Sequence, residues 1–171
     1  MRVAGSKRLR LVATALVALV GGVLAHSAAG APNEEFSASF VESRVSTTDR
    51  VADLGIFQFV NTGTGTVDGF GAATVVLAMS QDRSVQPCGA GSWTNAGVRR
   101  IVVDDGVLVL RTLAYVCQTA GGPQATGSWT VDGASSTGAF AGARGSGTES
   151  VDIPTRTSTL TGKLKLAGED A

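Results

Sequence analysis

The chain has 171 residues, 43% of them hydrophobic and 16% charged, with fourteen Lys and Arg against fourteen Asp and Glu and one histidine. So even a charge balance, with no basic stripe, excludes a nucleic-acid partner, because displacing phosphate counterions needs clustered Lys and Arg. Beginning at the amino terminus, Met1 to Arg10 carries Arg2, Lys7, Arg8 and Arg10, and an uncharged apolar run from Leu11 to Ala25 follows. Ser27, Ala28, Ala29, Gly30 and Ala31 then supply the small residues that a signal peptidase accepts. Residues 1–31 therefore read as a signal peptide cut after Ala29 or Ala31, and residues 32–171 as one secreted domain. A retained membrane anchor is the alternative, since the uncharged stretch from Leu11 to Ala31 is long enough to span a bilayer. Gly21, Gly22 and the small-residue exit weigh against it, and no later segment looks like a span.

Loss of the leader removes all four of its basic groups and leaves ten Lys and Arg against fourteen Asp and Glu, a formal charge of about −4. It also removes His26, the only histidine. The mature chain then has no imidazole, which excludes Ser/His/Asp and Cys/His catalysis and the usual zinc sites. Gly-x-Ser-x-Gly and the phosphate-loop ending Gly-Lys-Ser/Thr are also missing. Any acid or base must be Asp, Glu, Tyr115, a thiol or an unusual Lys, and no cofactor or metal is implied.

Short Val-, Thr-, Phe- and Ile-rich runs separated by Gly, Asp, Asn and Ser predict an all-β domain of about eight strands. Glu35 to Glu42 opens the series, with Phe36, Ala38 and Phe40 alternating against Ser37 and Ser39. Asp53 to Asn61 follows, then a glycine-rich turn from Thr62 to Gly65, then Phe70 to Met79. Val98 to Asp104 and Val107 to Cys117 bracket Asp105-Gly106, a hairpin signal in which both turn positions tolerate positive φ. Ala125 to Val131, Arg144 to Ile153 and Ser158 to Leu166 complete the set, with Pro154 as a break. Eight strands can close into a small barrel, which removes exposed edges; a two-sheet sandwich is the rival. Cys88 and Cys117, two cysteines in an exported chain, have one pairing open to them and are expected to form a disulfide.

Gly127-Ser128-Trp129-Thr130-Val131-Asp132-Gly133, followed by Thr137-Gly138-Ala139-Phe140-Ala141-Gly142-Ala143-Arg144-Gly145, resembles the allene oxide cyclase-like and dirigent-like proteins, in which a Trp-x-Val strand often precedes a Gly-x-Phe-x-Gly-Ala-x-Gly turn. The resemblance covers roughly Val107 to Leu166. It implies an eight-stranded antiparallel barrel with an apolar cavity, often trimeric, which in some members steers a reactive intermediate through cyclisation or coupling without a redox cofactor. The residues themselves read as structural: the glycines permit sharp turns and close packing, and Phe140 would be buried as a plug beneath the turn. No catalytic set of the family matches residue by residue, so none is carried over.

Candidate ligand-binding residues are Arg100, Arg111, Tyr115 and Trp129. With Asp105-Gly106 as the turn, Arg100 stands opposite Arg111, and a one-residue shift would pair Arg99 with Arg111 instead. On an inner face the two like charges would need a carboxylate, with Glu149 and Asp152 as candidates, or a ligand's negative oxygen. On an outer face they are solvated. Tyr115 shares the face of Arg111 and could offer a hydroxyl, and Trp93 and Trp129 could line an aromatic pocket or simply pack. Two functional readings follow. One is a secreted barrel binding a small, mainly apolar molecule and guiding its cyclisation or isomerisation. The other is a non-enzymatic secreted or cell-envelope protein that binds a partner through its outer wall, because Val107 to Val116 is apolar on both faces. A homotrimer would cover that face without a foreign partner.

Overall fold

The computed structural model describes residues 34–51 and 55–168, so the leader and the cleavage expected within it lie outside the described residues. The described chain forms β1 (Glu34–Val51), β2 (Ile56–Val67), β3 (Gly71–Asp82), β4 (Trp93–Val103), β5 (Gly106–Thr119), β6 (Gly122–Val131), β7 (Thr137–Gly138), β8 (Arg144–Asp152) and β9 (Thr157–Lys165). The sheet order is β4-β3-β2-β1-β9-β8-β6-β5-β7, and β4 also pairs with β5. That last pairing closes β1 to β6, β8 and β9 into an eight-stranded antiparallel barrel, with the two-residue β7 added outside the ring on β5. The all-β, eight-stranded barrel expected from the strand rhythm is the fold, and it holds in place of the sandwich.

Two local readings are corrected. Thr62 to Gly65 is not a turn; it lies inside β2, where Gly63 faces Glu42 and Gly65 faces Phe40 across the ladder. A Cβ on Gly65 would lie 2.8 Å from the Phe40 ring and closer still to the Ser39 carbonyl, so the glycine clears room for strand coiling and for a buried Phe. The β4–β5 hairpin exists, but its turn is Asp104–Asp105, with Val103 opposite Gly106. Gly106 is needed for the approach of β7, since a Cβ there would meet the backbone of Thr137 and Gly138. The shifted turn places Val98, not Arg100 or Arg99, opposite Arg111.

Side chains fill one half of the barrel. Phe36, Phe40, Val67, Val75, Ile101, Leu108, Leu110, Trp129, Phe140 and Leu160 form one buried cluster. Trp129 meets Phe36 edge-on at 5.2 Å, an arrangement that adds about 0.5–1.5 kcal/mol beyond area burial. Its indole lies on Gly147 and Gly162, where any Cβ would come within 2.6 Å of the ring, and its Nε1 donates to the Thr148 carbonyl at 3.0 Å. Phe140, from the segment between β6 and β8, is 1% exposed and packs on Phe70 at 4.7 Å, closing this end as the plug its motif suggested.

Candidate functional site: the open half of the barrel

The other half is not filled. A cavity of about 450 Å³ opens at the end of the barrel that carries the β3–β4, β5–β6 and β8–β9 connections. Its apolar walls are Phe59, Leu77, Met79, Ala114, Val151 and Ile153, and polar side chains interrupt them. Cys88 and Cys117, bonded with a Cα separation of 5.6 Å, tie the β3–β4 loop to the end of β5, and Gln118 Nε2 adds a hydrogen bond to the Gly91 carbonyl at 3.0 Å. A disulfide is consistent with an extracellular protein.

Strand alternation explains the cavity floor. On β4 the inward residues are Val103, Ile101, Arg99, Gly97 and Asn95, so Arg99 enters the barrel and Arg100 leaves it. On β1 the period that buries Phe36, Ala38 and Phe40 places Glu42 next on the inner face; on β8 it places Glu149 beside Val151. Arg99, fully buried, donates through Nη1 to Glu42 Oε1 and to Ser158 Oγ at 3.2 Å, and through Nη2 to Glu149 Oε2 at 3.2 Å. Ser158 Oγ in turn donates to Glu42 Oε1 at 2.6 Å. A buried guanidinium costs several kcal/mol unless paired, so both carboxyl groups are structurally required by Arg99. Burial pushes the Glu149 carboxyl above its ordinary range, Arg99 pulls it back, and the neighbouring Glu42 charge adds to the rise.

Four buried polar atoms around this cavity have no hydrogen-bond partner: Asn61 Oδ1, Trp93 Nε1, Asn95 Oδ1 and Arg99 Nε. Buried polar groups are almost always satisfied, and each exception carries a penalty of about 1–3 kcal/mol until something supplies the missing bond. The residues that carry all four belong to the lining of the same unfilled space. Among the described residues no group of three or more His, Cys, Asp or Glu side chains converges to hold a metal.

The residues singled out from sequence are distributed differently. Arg100 and Tyr115 are exposed on the outer wall, and Arg111, with its side chain 68% exposed, pairs there with Asp132 at 2.6 Å. Trp129 is inside but in the filled half, away from the cavity lining. Trp93, weighed beside it, does line the cavity. Glu149, expected as the carboxylate for an inward arginine, has that role with Arg99 as its partner. Glu42, Arg44, Asn61, Asn95 and Arg99 were not singled out as ligand-binding. The inward continuation of Phe36-Ala38-Phe40 to Glu42 was the available signal.

The site and fold together define an all-β barrel with one plugged and one hollow half, a design compatible with holding a small molecule. No protein-family model, curated protein or solved structure matches the chain.

Proposed function

We propose that this protein is a secreted barrel of the allene oxide cyclase-like and dirigent-like kind that binds a small, mainly apolar molecule in its open half. The observation that carries the reading is the unfilled cavity itself, about 450 Å³ and within the ~300–1,000 Å³ range of ligand sites, where Phe59, Leu77, Met79, Val151 and Ile153 stand among polar side chains. The leader pattern and the disulfide support export; the Trp-x-Val and Gly-x-Phe-x-Gly sequences and the eight-stranded closure support the family. Guidance of a cofactor-free cyclisation or isomerisation is the finer form of the proposal. It is supported by the resemblance of the Gly127–Gly145 segment to that family.

The test is titration with a neutral fluorescent probe, N-phenyl-1-naphthylamine, against the native chain and a Leu77→Trp variant that fills the cavity. Saturable binding at one site, lost in Leu77→Trp, is expected. No binding, or equal binding by both proteins, overturns the proposal.

A second reading, an outer-wall partner or self-association as a homotrimer, is favoured by Val76, Val102, Leu113 and Tyr115, which stand 40–44% exposed on the adjacent strands β3, β4 and β5. A concentration-independent monomer in sedimentation would remove the trimer and leave the foreign partner.

A further inference from the structure

We infer that the ligand of this cavity is an anion: a mainly apolar molecule whose carboxylate or phosphate oxygens are taken at the mouth by Arg44, Arg83 and Arg156. The inference rests on the cavity being a binding site and goes beyond it by naming the ligand's charge and where that charge sits.

The three arginines come from separate parts of the chain, β1, the start of the β3–β4 loop and the β8–β9 connection, and line one opening. Arg44 lies over the Phe59 ring at 3.9 Å; Arg83 lies over Phe57 at 5.1 Å and Trp93 at 5.3 Å. Stacking occupies the face of a guanidinium and leaves its N–H edge available, the geometry that recognises an oxyanion. No carboxylate among the described residues pairs with any of the three, whereas Arg99 and Arg111 are paired. Arg83 gives Nε and Nη2 to a neutral acceptor, the Gln81 amide oxygen, in the amide orientation that satisfies both groups, which leaves Nη1 for a ligand. Arg156 reaches Ser43 Oγ at 3.4 Å.

Among the described residues, the acidic groups near the rim are engaged elsewhere. Asp82 accepts from the backbone N–H and hydroxyl of Ser84 at 2.8 and 2.6 Å, and Asp152 accepts from Gln124 at 3.0 Å. The cavity's two glutamates are held by Arg99. The lining therefore carries four arginines against two carboxyl groups. Arg44 is held below its usual basicity by burial and then by the charge of Arg83, so like charges crowd at the opening. Arg156 is, among the described residues, the only non-glycine at positive φ, 61°, fixed by its carbonyl accepting from the Glu42 N–H at 2.9 Å. Backbone strain at a cationic rim residue fits a group held in place for a ligand.

The experiment compares two probes on the full mature protein: N-phenyl-1-naphthylamine, which is neutral, and 1-anilinonaphthalene-8-sulfonate, a similar ring system bearing an anion. The sulfonated probe is expected to bind at least about tenfold more tightly, and the ratio to collapse toward one in Arg44→Gln, Arg83→Gln and Arg156→Gln combined. Because the ratio is read, a general loss of affinity in the variant does not imitate the effect. As a second measurement needing no variant, raising salt to about 0.5 M should weaken only the sulfonated probe. Displacement by 2-naphthoate against 2-naphthyl phosphate then separates a carboxylate from a phosphate ligand. Equal affinities for the two probes, insensitive to salt, overturn the anion inference while leaving the cavity a binding site. Binding of neither probe overturns both.

Discussion

Arg99→Met removes the charge around which the cavity floor is built while keeping much of the side-chain length. In the native protein this guanidinium makes hydrogen bonds to Glu42, Ser158 and Glu149, and the two glutamates are only 6% and 3% exposed. Without it they are left as buried acids with no countercharge. Removing one partner from such an arrangement costs about 3–5 kcal/mol, a large part of the ~5–15 kcal/mol that holds a domain folded. Urea unfolding followed by tryptophan fluorescence measures the loss as a lower midpoint at similar slope. The loss should shrink at acid pH, where Glu149, whose burial already favours the proton, is buried as a neutral acid. Adding Glu42→Gln and Glu149→Gln to Arg99→Met should restore part of the stability, because neutral replacement of a whole buried ion set is often nearly free of cost. A loss below about 1 kcal/mol at neutral and acid pH alike would show that the network does not compensate buried charge, and the floor would have to be explained by packing alone.

Three further outcomes follow from the same structure. Because the folded protein raises the Glu149 pKa, the stability this group contributes is fully present below the unfolded value of about 4.3 and is lost as pH rises through the raised folded value, at up to about 1.4 kcal/mol per pH unit. Glu149→Gln should flatten that fall in thermal melts across the window; a curve parallel to the native one would contradict the assignment. Replacing Cys88 and Cys117 together by Ser opens a loop of sequence separation 29, and loop entropy predicts a loss of about 3.6 kcal/mol, read as a lower denaturation midpoint. Gly162→Ala puts a methyl group 2.6 Å from the Trp129 ring and 2.4 Å from the Ser146 carbonyl, so a loss of about 1–3 kcal/mol with a changed near-ultraviolet tryptophan signal is expected. Native-like stability and spectrum would show that the indole does not rest on this strand.

Period-two alternation made the barrel legible in the sequence where one face is polar, as in Phe36, Ala38 and Phe40 against Ser37 and Ser39, whereas the run from Val107 to Cys117 shows its alternation only in the burial of the folded strand. The Thr62–Gly65 segment misled for a physical reason. Glycines in a coiled barrel strand serve close approach to Phe40 and Glu42, and the same residues in a flat sheet would mark a turn. The site was harder to read. Val98 to Val103 is apolar on both sides of Arg99-Arg100, so alternation alone does not say which arginine turns inward, and the hairpin turn falls one residue from where Asp-Gly chemistry puts it. The mouth arginines lie too far apart in sequence to be joined before closure brings β1, β3 and the β8–β9 connection together. Glu42 was within reach, because a carboxylate that continues an otherwise apolar inner face must find a buried partner.

Native mass spectrometry of the oxidised protein, with gentle release of anything retained, addresses the binding site most directly. A binding cavity in the open half predicts a mass above that of the bare chain, a released apolar acid, and loss of that adduct in Leu77→Trp. A bare mass for the native chain, together with failure of both naphthalene probes to bind, would contradict it and turn attention to the exposed apolar residues of the outer wall.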